Sequence, residues 1–399
     1  MSRIDDLIRD LCPDGVEYKP LGEVARYSPR KVSAEDLNST TFVGVDNLVS
    51  QKRGRIDATH APNTSTLTAY RPGNILLGNI RPYLKKVWLA DRSGGCSGDV
   101  LAIEMNEHHS RIIEPQYLYY VLSSDSFFRF NQRNARGAKM PRGDKSAILR
   151  YRIPIPPLEL QCAIVEVMDQ LKALENELES KLSNEMSLRS TQHKLLKNSI
   201  LRTISTSPTL PLRELSKFTN GKPHERLATP SGDVALITAK FISRGGIPDR
   251  FIQSSDVKTP ASLNDIALVM SDLPGGRALA KAFHIKEDGK YATNQRICLL
   301  TPMNTDILHP RFLYHILERN PNLLAYDNGV DQTHLKRSQI EAVQIPVPSM
   351  NEQRYVIDAL DKLDTSLVEL MSCLSSEIEA RRKQYEYYRD RLLTFPEKK

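Results

Sequence analysis

The stretch IPIPPLELQCAIVEVMDQL, residues 153–171, returns as IPVPSMNEQRYVIDALDKL at residues 345–363. Ile153 pairs with Ile345, Gln161 with Gln353, Asp169 with Asp361 and Leu171 with Leu363, each time at an offset of 192 residues. The same offset holds at Leu178 and Leu370, Leu182 and Leu374, Gln192 and Gln384, and Leu201 and Leu393. So constant a spacing leaves no insertion in either copy. The chain is an internal duplication, and a repeat of this kind sets the architecture before any local signal does.

Outward from that core the similarity thins without vanishing. KPLGEVARY at residues 19–27 resembles LPLRELSKF at residues 210–218, and EPQYLYYVL from Glu114 resembles HPRFLYHIL from His309. Gly137 and Gly329 keep the 192-residue offset, each 16 residues before its Ile-Pro. Each half is therefore a variable domain followed by a well-matched segment.

The matched segments are expected to be helices. Apolar residues fall at Ile164, Val167, Leu171, Leu174, Leu178, Leu182 and Met186, and again at Val356, Leu360, Leu363, Leu367, Leu370, Leu374 and Ile378. Steps of three and four make a coiled-coil seam, for which the core positions are Ile164, Leu171, Leu178, Leu182, Val356, Leu363, Leu370 and Leu374. Charged residues between them (Glu175, Glu177, Glu179, Lys181; Glu369, Glu377, Glu379) read as a solvated face. Each helix should run about 40–46 residues, roughly 60–70 Å at 1.5 Å per residue. The economical partner for each stripe is the other copy. An antiparallel pair would put the two globular domains at opposite ends, about a pseudo-twofold axis. Within the domains, TTFVGV, NILLGNI, DVALIT, DIALVM and RICLLT read as strands between Gly, Pro, Asn and Asp turns. PQYLYYVLSSDSF and PRFLYHILER read as one helix per half. The expected fold is thus α/β (α+β) globular recognition domains in two copies, separated by a long antiparallel two-helix coiled coil. Its limits are residues 1–155 for the first recognition domain, 156–203 for the first spacer helix, 204–347 for the second domain, and 348–399 for the second helix and tail.

At 399 residues, 40% hydrophobic and 26% charged, the chain has apolar residues enough for two or three cores. Its longest aliphatic run, residues 266–270, is far short of a membrane span of about 20 residues. The acidic opening MSRIDDLIRDL lacks the apolar stretch of a signal peptide. Five scattered cysteines (Cys12, Cys96, Cys162, Cys298 and Cys373) read as reduced thiols, with neither a disulfide frame nor a zinc site. The expectation is a soluble cytoplasmic protein.

Chemistry is conspicuous by what is missing. No two glycines stand at i and i+2, and both Gly-Lys pairs precede Pro or Tyr, so neither a dinucleotide loop nor a P-loop is present. HExxH, CxxC and GxSxG are absent too. Asp169, Glu179 and Lys181 only loosely mimic a nuclease triad, and His108 and His109 read as surface or turn residues. We expect no catalytic residue, no metal site and no cofactor in this chain.

The net charge of +7 points to a polyanionic partner through its distribution more than its size. Residues 129–152 hold Arg129, Arg133, Arg136, Lys139, Arg142, Lys145, Arg150 and Arg152 against the single acid Asp144. Two divergent domains on a rigid spacer make a bipartite reader, and half-sites on duplex DNA repeat at about one helical turn or multiples of it. The leading contact residues in the first domain are Arg136, Lys139, Arg142 and Lys145. Their counterparts in the second are Gln332, Thr333, His334, Lys336 and Arg337. Arg and Lys can neutralise phosphate or pair with guanine; Gln and Thr can read base edges. Other loops offer Arg53, Arg55, Arg81, Lys85 and Lys86, then Lys222, Arg226, Arg244, Arg277 and Lys281, with Arg277 presented by the Gly275-Gly276 turn. Tyr385, Tyr387 and Tyr388, beside Arg381, Arg382 and Arg389, are expected to pack between helices and not to stack on bases.

Variable domain, Gly, Ile-Pro-x-Pro, Gln, long helix and repeat, in that order, resemble the specificity subunit of a type I restriction-modification enzyme. The helix ends QHKLLKNSIL and QYEYYRDRLLTF and the opening PDGVEYKPLGEV resemble it as well, so the likeness covers essentially the whole chain. The resemblance implies two target recognition domains, each reading one half of an asymmetric split site in double-stranded DNA. It implies two modification (methyltransferase) subunits holding S-adenosylmethionine, and restriction subunits supplying ATP- and Mg-dependent translocation and cleavage. This chain would then be non-catalytic, with no membrane partner. The competing readings are a stand-alone DNA-cleaving enzyme and a coiled-coil scaffold that binds no DNA.

Overall fold

The computed structural model describes residues 2–106, 112–273 and 277–398. His108, His109 and the Gly275-Gly276 turn lie outside them. The chain divides into two compact units, one of residues 1–184 and 374–399, the other of residues 185–373. Among the described residues, no helix is long and apolar enough to cross a membrane.

In the first unit, strands Ala25–Tyr27, Val100–Met105, Ile75–Gly78 and Val87–Leu89 form one antiparallel sheet in that spatial order. A second sheet has the order Lys31–Ser33, Thr66–Tyr70, Gly94–Cys96, Phe42–Val43. NILLGNI is an unbroken apolar run because its strand is covered on both faces. Ile75 and Leu77 point into a core with Tyr117, Phe127, Phe128, Ile148 and Ile164, whereas Leu76 points into a second core with Tyr70, Trp88 and Ala102. The two-residue side-chain period of a strand sorts alternate residues into different cores. Strand Ile266–Val269 of the second unit does the same, sending Ile266 and Leu268 one way and Ala267 and Val269 the other.

The second unit repeats the antiparallel sheet as Ser216–Asn220, Ile297–Pro302, Ile266–Val269, Ala282–His284. Its other sheet differs instructively. Pro260–Ala261, Tyr291–Thr293 and Val234–Ile237 correspond to Thr66–Tyr70, Gly94–Cys96 and Phe42–Val43, including the one parallel pairing in each sheet. The fourth strand, however, joins opposite edges: Lys31–Ser33 beside Thr66–Tyr70, but Phe251–Ile252 beside Val234–Ile237. Three strands thus correspond between the two copies and the fourth does not.

Two long helices, Leu158–Arg202 and Met350–Leu392, run through both units. In the first unit Arg382 pairs with Glu179, and the Lys172 ammonium lies 5.3 Å from the centre of the Tyr385 ring. In the second, His193 Nε2 lies 2.7 Å from Asp364. In the first unit the helices are antiparallel, because rising numbers on one (Lys172, Glu179) meet falling numbers on the other (Tyr385, Arg382). Of the predicted seam, Ile164 and Val356 are buried, while Leu171, Leu178, Leu182, Leu363, Leu370 and Leu374 are half-buried. Leu174 departs from the expected stripe and is 61% exposed. Glu175 corrects it from the other side: its carboxylate faces the helix pair, 2.7 Å from Lys172 and only 11% exposed. A pure heptad reading cannot place an acid inward. The ion pair does, because it neutralises the carboxylate where it is partly desolvated.

A buried glutamine explains the best-matched position of the repeat. Gln161 is fully buried; its Oε1 accepts from the Glu114 amide at 2.9 Å and its Nε2 donates to the carbonyls of Ile112 and Pro156 at 2.8 and 2.7 Å. Gln353 makes the same bonds with the His309 amide and the carbonyls of Ile307 and Pro348, at 2.9, 2.8 and 3.0 Å. Each glutamine pins the loop ahead of a short helix, Pro115–Leu122 or Pro310–Leu317, to the start of a long one. In the first region the sequence predicts one helix, but a second, Asp125–Arg133, follows the first. Ser124 supplies its cap through the Phe127 amide.

The chain ends meet inside the first unit. The Val16 amide donates to Pro396 at 2.8 Å, the Lys398 amide to Val16 at 2.9 Å, and the Tyr18 hydroxyl to Phe395 at 3.0 Å. Strand Glu17–Pro20 then pairs with Arg152–Ile155. In the second unit the matching strands are Thr209–Pro211 and Gln344–Pro346, and there the preceding peptide is continuous with the first long helix.

Candidate nucleic-acid interface

The basic segment of the first unit leaves helix Asp125–Arg133, loops outward, and returns through helix Lys145–Arg150 to strand Arg152–Ile155. Arg136 and Arg142 exchange both backbone hydrogen bonds at 2.8 Å, pinching off residues 137–141. Gly137 has φ +97°, and Gly329 in the other unit has φ +70°, which is why both copies hold glycine there. The loop base is fixed to a neighbouring strand end: the Arg81 amide donates to Pro141 at 2.7 Å, and the Gly143 amide to Asn79 at 3.0 Å. Gly143 sits so close to Asn131 and Asn79 that a Cβ would lie 2.6 and 2.8 Å from their side-chain oxygens.

Two carboxylates that the sequence reading left out of the site shape its charge. Arg136 Nη2 lies 2.6 Å from Asp144, and Arg142 Nη2 lies 3.1 Å from Asp99. Asp144 also caps its helix, accepting from the Ser146 hydroxyl at 2.6 Å and the Ala147 amide at 3.1 Å; these bonds with Arg136 hold its carboxyl down at about 2. Lys139 and Lys145 are exposed and have no ion-pair partner among the described residues. Arg152, in the same charge run, is bound to Glu397 at 2.6 Å.

The corresponding segment of the second unit is stitched down at the same place. Strand Thr333–His334 pairs with Ser271–Asp272, and the Leu335 amide donates to Met270 at 2.8 Å. His334 stands 192 residues after Arg142, and Ile80 of the first unit bridges to Arg142 as Ser271 pairs with His334. Gln332 donates to the Ser271 hydroxyl at 3.0 Å and Thr333 to Asp327 at 3.1 Å, so both are partly engaged within the protein. His334 and Lys336 are exposed. Arg337 pairs with Glu341 at 2.8 Å and stacks 5.2 Å from Phe218.

The remaining candidates separate by environment. Arg81, in left-handed conformation at φ 52°, is exposed beside the basic loop. Arg53 is exposed, with Glu179 at 3.8 Å. Lys222, Arg226 and Arg277 are exposed, and Arg244 is exposed with Asp249 at 4.0 Å. Lys281 is half-buried. Three others serve the fold. Lys85 binds Asp125 at 2.7 Å, together with Lys52 at 3.2 Å and the buried Arg389 at 3.6 Å. Burial pushes the Asp125 carboxyl up, but these three cations outweigh it and hold it at about 2. Lys86 donates to the Val45 carbonyl at 2.6 Å, and burial lowers its pKa. Arg55 lies 5.2 Å from the Trp88 ring centre and 3.0 Å from Asp57, with its side chain 8% exposed. No sequence period marks such residues, because Asp125, Val45 and Trp88 are distant in sequence from Lys85, Lys86 and Arg55.

Tyr385 packs into the first unit's core, Tyr388 is half-buried, and Tyr387 is 60% exposed. Asp169 accepts from the Tyr120 hydroxyl and from Gln116 at 2.7 Å, Glu179 takes Arg382, and Lys181 pairs with Glu177 at 2.6 Å. Ten residues along a helix separate Asp169 from Glu179 by roughly 15 Å, so they form no joint site.

A family model for the type I restriction modification DNA specificity domain matches the chain twice, over residues 13–187 and 212–380. The chain is similar to the specificity subunit of the Escherichia coli type I restriction enzyme EcoR124I/EcoR124II, 26% identical over 435 aligned positions covering 99% of this chain and 98% of that one. It is also similar to a putative type I restriction enzyme specificity subunit of Haemophilus influenzae, 24% identical over 393 positions covering 95% and 96%. Among solved structures, a chain from work on complex assembly and conformational transition of the type I R-M system shares its fold, with a TM-score of 0.69 at 18% identity over 95% of this chain and 97% of the other. Matched over most of its length by two copies of one domain, the chain belongs to the type I restriction modification DNA specificity family.

Proposed function

We propose that each specificity domain reads one half of an asymmetric, interrupted site in double-stranded DNA, and that the chain brings methyltransferase and restriction subunits to that site without performing chemistry itself. The observation that carries this reading is a shared mount with unlike side chains. In both units a polar or basic segment is stitched to the same strand end just before the long helix, at Arg142 in one and His334 in the other. Equivalent positions then present Arg136, Arg142 and Asp144 in the first unit, but Asn328, His334 and Lys336 in the second. Identical mounts with different readers call for two different half-sites, not a palindrome.

The domain limits follow the sequence reading: recognition domains at residues 1–155 and 204–347, helical spacers at 156–203 and 348–399. The helix pair serves as the ruler between half-sites, as pseudo-twofold copies would require. Exposed Arg53, Arg81, Lys139, Lys145, Lys222, Arg244, Arg277 and Lys336 are the phosphate-contact set, and Arg136, Arg142, Gln332, Thr333, His334 and Arg337 the set nearest the mounts. Two modification subunits carrying S-adenosylmethionine complete the methylating complex, and restriction subunits carrying the ATP- and Mg-dependent steps join it.

Methylome sequencing of a host with and without the gene tests this. Loss of methylation at one asymmetric, interrupted motif is expected. Unchanged methylation at every such motif refutes it. For the purified complex, DNA affinity should fall steeply with salt as phosphate contacts release counterions.

A further inference from the structure

We propose that Arg136 and Arg142 read guanine in the first half-site, held in aim by Asp144 and Asp99, while Lys139 and Lys145 of the same segment supply only phosphate neutralisation. This rests on the reading of the segment as a DNA contact, and it assigns chemistry within it.

The argument begins with what the two ion pairs are not. Arg136 is 84% and Arg142 60% exposed, and an ion pair with so exposed a guanidinium contributes little to stability. Pairing also cancels the net charge that would make either arginine useful against phosphate. What the carboxylates do provide is orientation. The closest contact of each carboxylate is with Nη2 of its arginine. A guanidinium has five N–H donors in a planar fork, more than one carboxylate takes up, and the donors left over suit the O6 and N7 of guanine, its commonest specific partner.

The Asp144 carboxylate and the Asp99 backbone are themselves anchored. Asp144 divides its oxygens, Oδ1 capping the helix through Ser146 and Ala147, Oδ2 holding Arg136. The Asp99 carbonyl accepts from the Asn79 amide at 2.8 Å, and the Asn79 carbonyl in turn accepts from Gly143 at 3.0 Å. Arg142 therefore sits on a backbone fixed by its mutual bonds with Arg136, by Pro141 against Arg81, and by Gly143 seated on Asn79 and Asn131. A reading side chain needs this rigidity. Lys139 lies on the outer loop, where no such bracing exists, and a flexible ammonium suits a phosphate. The second unit lacks the arrangement: the positions 192 residues after Arg136, Arg142 and Asp144 are Asn328, His334 and Lys336. The effect belongs to one half-site only.

The test uses the full chain in complex with its modification subunits, binding a library of target variants. Arg142→Lys keeps the charge and loses the fork; Asp99→Asn keeps the shape and loses the aim. Each should relax discrimination at one guanine of the first half-site by about ten-fold or more, leaving the second half-site unchanged. Asp144→Asn, which retains a helix cap, should act likewise through Arg136. Lys139→Ala should weaken binding to all sequences alike and lower the salt slope by about 0.9. Uniform weakening by Arg142→Lys and Asp99→Asn, or no responsive guanine in that half-site, overturns the proposal. A parent complex that selects no interrupted site refutes instead the DNA-reading function beneath it.

Discussion

Replacing Gln161 by Met removes one fully buried amide while nearly keeping its length and volume. Three main-chain groups lose their partner: the Glu114 amide and the carbonyls of Ile112 and Pro156. A buried polar group left unpaired costs about 1–3 kcal/mol. Some rescue by solvent and the apolar gain of methionine offset part of the sum, leaving about 3 kcal/mol. With a urea slope of about 2 kcal/mol per molar, the midpoint should fall by about 1.5 M. The chain carries its own reporter. Its only tryptophan, Trp88, lies in the first unit, 9% exposed and edge-on to Tyr70 at 5.9 Å. Tryptophan fluorescence therefore follows the first unit alone. Gln353→Met breaks the same three bonds in the second unit and should leave the Trp88 transition in place while lowering a circular-dichroism transition by a similar amount. A Trp88 midpoint shift below about 0.3 M for Gln161→Met would refute the assignment of the joint to this side chain. Equal shifts of the fluorescence by both variants would refute the independence of the two joints.

His315 stands where the first unit has Tyr120; each contacts the repeat-matched aspartate, Asp361 or Asp169. Burial drives the His315 pKa down to about 4, with Arg311 and Lys197 adding to the effect and Asp361 opposing it. The unfolded chain takes up this proton below about 6.5, the folded chain only below about 4, so stability should fall as pH drops through that window. His315→Tyr should flatten part of that slope in an acid titration followed by circular dichroism; His284, also held at about 4, and His309, lowered by burial, keep contributing to it. Gly94→Ala would place a Cβ 2.1 Å from the Thr41 carbonyl and 2.5 Å from the Tyr70 hydroxyl, and should cost about 2–3 kcal/mol with red-shifted Trp88 emission. Arg389→Met leaves Asp390 without its 2.7 Å partner and Asp125 with two cations in place of three; a loss of about 2–3 kcal/mol should appear in the Trp88 transition.

Much of this protein was legible before any coordinates. Duplication at a constant offset, paired glutamines, paired glycines and apolar steps of three and four are all periodic signals. The structure supplies their causes: a pinned loop at Gln161 and Gln353, left-handed backbone at Gly137 and Gly329, and helices of 45 and 43 residues. NILLGNI and DIALVM were readable as strands because burial on both faces makes a continuous apolar run. What could not be read was pairing between side chains distant in sequence. Charge counting offers both Lys139, in the leading segment, and Lys85, on another loop, as contacts, yet Asp125, 40 residues away, takes up Lys85 and nothing described takes up Lys139. Periodicity also turns Leu174 inward and Glu175 outward, whereas Leu174 is exposed and the Glu175 carboxylate is partly buried against Lys172. Sequence by itself determined the repeat, the element types and the basic segment, since these depend on local spacing and composition. Only tertiary structure decided which cations remain free to meet a phosphate, because a charge is neutralised by whatever the fold brings within about 4 Å of it.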